Sequence, residues 1–267
     1  MEEENIVEVR GLKVWFPIKK GIFSRTTGYV KAVDGVSFVL HRGETLGVVG
    51  ESGSGKSTVA RVITGLQKPT EGSFELGGKV SMVFQDPLGS LNPRMTVRAI
   101  IEEAIRSRTV AVLGDRRGNG APLPAPVGED ADGTVDELLS LVGLDASALD
   151  KYPHEFSGGQ RQRICIARAI ASKPELLVCD EAVSALDLSI RAQVLELLGD
   201  LKRKLGLSLL FITHDLGVVQ HIADRILVMN RGKIIEEGPC GQVLRAPREE
   251  YTRYLVSSVP KIGKPLT

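Results

Sequence analysis

The stretch GVVGESGSGKST, from Gly47 to Thr58, constrains this 267-residue chain more than any other. Thr45–Val49 reads as a short buried strand, and Lys56–Gly65 carries a helical pattern directly after it. Between them, Gly50 to Ser57 fit G-x-x-x-x-G-K-[ST]. Glycines let successive backbone N–H groups curl around an anion, and the helix N-terminus adds positive potential. The residues expected to hold phosphate are therefore Gly50, Glu51, Ser52, Gly53, Ser54, Gly55, Lys56, Ser57 and Thr58. Lys56 reaches the β- and γ-phosphates in this scheme, and the Ser57 hydroxyl ligates Mg²⁺. The competing reading is a glycine-rich turn that binds nothing, and the strand–loop–helix context counts against it.

A second strand, Leu176–Cys179, ends in two adjacent acids, Asp180 and Glu181. Burying a carboxylate is costly unless it is paired or metal-bound. Beside a phosphate loop, Asp180 is expected to hold Mg²⁺. Glu181, one residue on, is placed to deprotonate or orient an attacking water.

The remaining pattern is one of strands alternating with helices. Strands are expected at Ile6–Phe16, Val36–Leu40, Val80–Phe84, Ser208–Ile212 and Arg225–Met229, with a hairpin turning at Arg231-Gly232. Helical patterns cover 97–106, 159–171, 189–205 and 216–222. The fold class is therefore α/β with a mainly parallel core sheet. The early strands, joined by turns, suggest an antiparallel β subdomain, and PIKKGIFSRTTGY reads as inserted between the first two of them. Gly114–Gly133 holds five Gly and three Pro in twenty positions, too little apolar content to bury a core. It marks a disordered insertion, spanning about 107–133, within a helical subdomain over about 97–171. Net charge is +1, so no global field favours nucleic acid. Arg161, Arg163 and Arg168 read as a solvated helix face, and His41, His154 and His221 have no ligand-like spacing. The three scattered cysteines suit buried thiols in a reducing compartment, the N-terminus lacks a signal-peptide layout, and no window could span a bilayer.

Many enzyme classes use a phosphate loop, and EFSGGQRQRICIARAIASKP separates them. Ser157, Gly158, Gly159 and Gln160 form a second phosphate-suited turn opening a long helix. One γ-phosphate does not need two such loops from one monomer, whereas a dimer that closes one subunit's loop over the other's site accounts for both. With this, the chain resembles the ATP-binding cassette (ABC) transporter ATPases over almost its whole length. Gly50–Thr58 resembles the family's Walker A, Gln85 its Q-loop and Ser157–Gln160 its signature. Leu176–Glu181 resembles Walker B, Ser184–Asp187 the D-loop, and His214 in FITHD the switch histidine. The sequence departs from the family in having Phe156 before the signature and Ala182-Val183 after Glu181, where Leu and Pro-Thr are commoner.

The resemblance implies ATP and Mg²⁺ as cofactors, with Ser57, Gln85 and Asp180 around the metal. It makes Glu181 the base, lets His214 support the γ-phosphate, and gives Gln85 a catalytic part as well. An aromatic side chain should stack on adenine; Phe16 holds the family's position and Tyr29 is the rival. VKAVDGVSF, VFQDPLGSLNPRMTV and YTRYLVSSVP narrow the likeness to the oligopeptide/dipeptide importer ATPases, whose near relatives import nickel, glutathione or sugars. The ATPase domain is then expected over 5–257, with a tail at 258–267 that carries no cysteine cluster for an iron–sulfur site. The implied partners are transmembrane permease subunits, a solute-binding protein and a second cassette, identical or sister, with no nucleic acid. The implied place is the cytoplasmic face of the inner membrane, held there through the permeases. A cassette that binds ATP as a switch without hydrolysing it is the other class still open.

Overall fold

The computed structural model describes residues 4–20, 25–106 and 131–258. Its centre is a six-stranded sheet in the order β5 (Val80–Val83), β6 (Leu176–Asp180), β7 (Ser208–Thr213), β3 (Thr45–Val49), β8 (Arg225–Asn230), β9 (Lys233–Pro239). All neighbours are parallel except β8 and β9. Every residue of β3, β6 and β7 is buried, as a parallel sheet covered on both faces requires. The β8–β9 turn falls at Arg231-Gly232, where φ is +46° and +78°. Two positive φ values are what a tight two-residue hairpin needs.

One face of this sheet packs against α1 (Lys56–Ile63) and a second, antiparallel sheet in the order β2 (Arg25–His41), β1 (Asn5–Lys20), β4 (Glu71–Leu76). Ile6, Leu12 and Leu40 share that core with Leu46, Ile63 and Leu176. The other face carries α3 (Val97–Arg106), α4 (Ala131–Leu141), α5 (Gly158–Ala171) and α6 (Leu188–Leu205), around Ile101, Leu139, Ile164, Leu198 and Phe211. The third cluster joins α7 (Leu216–Ile222) to two C-terminal helices, α8 (Cys240–Arg245) and α9 (Glu250–Ser258). Among the described residues, no helix is long and apolar enough to cross a membrane.

Several expectations change here. PIKKGIFSRTTGY is not an insertion between two short strands, because β1 continues to Lys20 and β2 starts at Arg25, with Phe16 opposite Val30 and Lys20 opposite Arg25. Strand β4 has no clear signal in the sequence, because four of its six residues are exposed and the other two only half-buried. Helix α4 starts at Ala131, inside the stretch read as an insertion to Gly133, while 107–130 lies outside the described residues. The tail beyond Ser258 also lies outside them. Arg163 and Arg168 do not form a solvated face. Arg163 Nη1 donates to the Val142 carbonyl at 2.6 Å, and Arg168 donates to the Ser90 carbonyl, so both clasp loops onto α5. All three cysteines are buried thiols, and burial pushes Cys179 up to about 12.

The segment after Gln85 forms a short helix, α2 (Pro87–Ser90), and the leucine within it and the one just after it have opposite fates. Leu88 is 52% exposed and Leu91 only 2%. Leu91→Ala is expected to cost about 2–5 kcal/mol of unfolding free energy. Leu88→Ala should stay within about 0.5 kcal/mol of wild type. Urea unfolding of the two variants checks this.

Candidate nucleotide site

The loop 50–55 emerges from β3, the strand held between β7 and β8. Two of its glycines are required by close approach. A Cβ on Gly50 would lie 2.2 Å from the Met229 carbonyl oxygen, and one on Gly55 would lie 2.2 Å from that of Ala32. Gly55 also adopts φ +106° to turn the chain into α1. The Gly232 N–H donates to the Ser54 carbonyl at 3.0 Å, pinning the loop to the β8–β9 turn.

Lys56 folds back into the loop it leaves. Its Nζ donates to the Gly50 and Glu51 carbonyls at 2.7 Å each and to Ser54 Oγ at 3.3 Å. Burial pulls its pKa below the ordinary lysine value, against the opposing pull of Glu181, Asp180 and Glu51. The ammonium is therefore cradled by the turn that would enclose phosphate.

The acids arrive from β6, two strands away in the sheet. The Ser57 hydroxyl donates to Asp180 Oδ1 at 2.8 Å, which joins α1 to the strand end. Burial raises the Asp180 pKa, and the Ser57 hydrogen bond only partly offsets that. The pair offers hard oxygen donors, the chemistry Mg²⁺ prefers. Among the described residues, no three His, Cys, Asp or Glu side chains cluster as a metal cage. A Mg²⁺ ion here would draw much of its shell from phosphate and water, its usual habit beside nucleotides.

Glu181 stands where the chain leaves the sheet, with φ +49°. A left-handed non-glycine residue is strained and persists only where its surroundings hold it. Here the Glu181 N–H donates to the Ile212 carbonyl at 2.9 Å, and the Ser184 hydroxyl donates to the Glu181 carbonyl at 2.9 Å. The carboxylate is also gripped from two sides. Gln85 Nε2 donates to Oε2 at 3.0 Å, and His214 Nδ1 lies 3.3 Å from Oε1. The structure thus joins Gln85, Glu181 and His214 in one cluster, and Ser57 and Asp180 in a second.

Ser157, Gly158, Gly159 and Gln160 sit elsewhere, at the head of α5. Ser157 and Gln160 cap each other, with the Ser157 N–H donating to Gln160 Oε1 at 3.0 Å and the Gln160 N–H to Ser157 Oγ at 3.3 Å. A Cβ on Gly159 would lie 2.5 Å from Ile190 on α6. Among the described residues, no hydrogen bond ties this turn to residues 50–58. Phe16 and Tyr29 lie on the β1–β2 hairpin, 40% and 56% exposed. Tyr29 leans on Trp15, with ring centroids 6.3 Å apart, and Phe16 has no aromatic partner among the described residues.

One residue of this region was not evident from sequence. Arg191 Nη1 donates to Asp215 Oδ2 at 2.9 Å, beside His214. Its Nη2 reaches the Ser184 and Leu186 carbonyls at 3.5 and 3.3 Å. Nothing in the pattern of a helix face marks such an arginine, because its partners lie on two separate loops.

A protein-family model described as ABC transporter matches residues 33–184. The chain is 47% identical to the oligopeptide transport ATP-binding protein AppF of Bacillus subtilis, over 98% of this chain and 80% of that protein. It is 44% identical to the dipeptide transport ATP-binding protein DppF of Haemophilus influenzae, again over 98% and 80%. Among solved structures, a dimeric post-hydrolysis state of the ATP-binding cassette MJ0796, bound to ADP and Pi, matches with a TM-score of 0.70. Its identity is 26%, over 88% of this chain and 98% of that one.

Proposed function

This chain belongs to the ABC transporter family, and from that premise we propose that it is the ATP-hydrolysing subunit of an importer of oligopeptides or dipeptides. The observation that carries the reading is near-full-length identity of 44–47% to ATP-binding proteins of peptide transport, in a chain that retains the Gln85–Glu181–His214 cluster.

On binding ATP, Lys56 exchanges its two carbonyl partners for the β- and γ-phosphates, and the loop amides close around them. Ser57, Asp180 and Gln85 hold Mg²⁺, which offsets phosphate charge when bound. Gln85 can serve two ends at once, because its Nε2 is on Glu181 while its Oε1 is an acceptor. Glu181 takes the proton of the attacking water, and His214 donates to the γ-phosphate. Ser157–Gln160 of a second cassette completes the site, so the working unit is a dimer of identical or sister copies. Phe16 supplies the adenine platform. The ATPase domain spans 5–257, with 97–171 as its helical part and an insertion between α3 and α4 that ends before Ala131. Exposed Leu88 faces the permease subunits, through which the protein sits on the cytoplasmic face of the membrane and serves a solute-binding protein.

Two measurements test this. The purified chain should release phosphate from ATP in a Mg²⁺-dependent way, and the intact complex in vesicles should take up a labelled peptide. ATP binding without phosphate release would point to a conformational switch instead. Leu88→Asp should cut peptide uptake several-fold while basal hydrolysis by the isolated chain stays within about twofold, since an exposed position tolerates a polar side chain.

A further inference from the structure

The last described helix, α9, reaches back to the phosphate loop through one side chain. The Glu51 N–H donates to the Tyr251 hydroxyl at 3.1 Å. Across the same peptide unit, the Gly50 carbonyl accepts from Lys56 Nζ at 2.7 Å. The Gly50–Glu51 peptide plane is therefore held at both of its polar atoms, by the loop's own lysine and by a tyrosine far along the chain. We propose that Tyr251 is a positioning residue for the nucleotide loop, its hydroxyl fixing the Gly50–Glu51 peptide so that the loop meets phosphate already ordered. The inference rests on reading residues 50–58 as the ATP site.

The contact is a built one. Glu236 on β9 is 8% exposed, and its carboxylate accepts from the Arg248 N–H at 2.9 Å and the Glu249 N–H at 3.1 Å. Those residues lead into α9, so the helix is anchored at its start. Tyr251 and Leu255 then pack on a cluster that includes Val49, the residue immediately before Gly50. The ring thus packs on that cluster while its hydroxyl reaches the loop that follows β3. Burial pushes the phenol above its ordinary pKa, so it keeps its proton at neutral pH. An ordered loop binds more tightly because less conformational freedom is lost on binding.

The test is titration of the full chain with Mg-ATP, well below its melting temperature, where a loss of stability alone leaves the affinity of the folded protein unchanged. Tyr251→Phe keeps the ring and removes the hydroxyl. It should weaken Mg-ATP binding about 3- to 10-fold, the range spanned by one hydrogen bond. Tyr254→Phe, altering an exposed neighbour on the same helix, should bind within about twofold of wild type. If Tyr251→Phe does not fold, Glu236→Gln, which loosens the anchor of α9, should weaken binding in the same direction. A folded Tyr251→Phe chain with wild-type affinity overturns the inference alone. A wild-type chain that binds no Mg-ATP overturns the nucleotide site and the inference with it.

Discussion

Replacing Glu181 by glutamine is expected to keep Mg-ATP bound and to slow its hydrolysis by about 10²–10⁴-fold, or roughly 3–5 kcal/mol of barrier. The amide has nearly the shape of the carboxylate but cannot take a proton from water. The fold should tolerate the change, because the backbone at Glu181 is held by Ile212 and Ser184 rather than by its own side chain. Its carboxylate does meet Gln85 and His214, and an amide can still accept from one and donate to the other. With hydrolysis stalled, ATP should accumulate between two cassettes, its γ-phosphate bridging Ser57 of one copy and Ser157 of the other. Size-exclusion chromatography with Mg-ATP should then show a dimer, and Ser157→Arg should abolish it. Wild-type turnover in Glu181→Gln would sink the assignment of base. A protein that stays monomeric at high concentration would leave the base intact and require a sister cassette.

Asp180→Asn should separate the neighbouring acid from it by acting on binding instead. Loss of a charged metal partner is expected to weaken the Mg²⁺-dependent part of ATP affinity by about 10- to 100-fold, the scale of a charge-assisted contact. The same substitution should raise the melting temperature of the chain free of metal and nucleotide at neutral pH. The sign follows from burial, which raises the Asp180 pKa in the folded state. The folded chain then binds the proton more tightly than the unfolded one, so stability falls as pH rises from the ordinary aspartate value through the folded one. Above the folded value that cost is fully present, and asparagine removes it. The difference should shrink as the pH drops below the folded value and vanish below the ordinary one. Thermal melts across pH in chelator check both the sign and the window. An Asp180→Asn chain that melts lower at neutral pH would show the carboxylate to be stabilising instead.

The parts of the molecule that could be read from sequence are those whose chemistry is local. Gly50 to Ser57 declare themselves by residue type and spacing, and Asp180 and Glu181 by ending an apolar run. Their meeting across the sheet, with Ser57 on Asp180 and Gln85 and His214 on Glu181, follows from strand order. What stayed hidden depends on partners distant in the chain. Strand β4 is an edge strand with little to bury, and only Phe74 and Leu76 alternate toward the core, too short a run to stand out. The far half of the β1–β2 hairpin is held by pairing between strands, while its side chains at Phe16, Ile18, Tyr29 and Val30 stay exposed. Arg163, Arg168 and Arg191 look like solvent-facing charges until the carbonyls they reach are placed beside them. Leu88 and Leu91 share one short motif, and only the packing under α2 tells them apart.

The position of β3 in the sheet also bears on how the protein is made. Its neighbours are β7 and β8, residues 208–213 and 225–230, so residues 45–49 leave the ribosome long before anything exists for them to pair with. Contacts that distant close slowly, because ordering the intervening chain comes before their reward. The glycine loop therefore acquires its shape late in synthesis. A nascent chain stopped short of Ser208 would carry the whole glycine loop and yet offer β3 neither of its sheet neighbours. During that interval the bare apolar strand is a target for aggregation or for a chaperone.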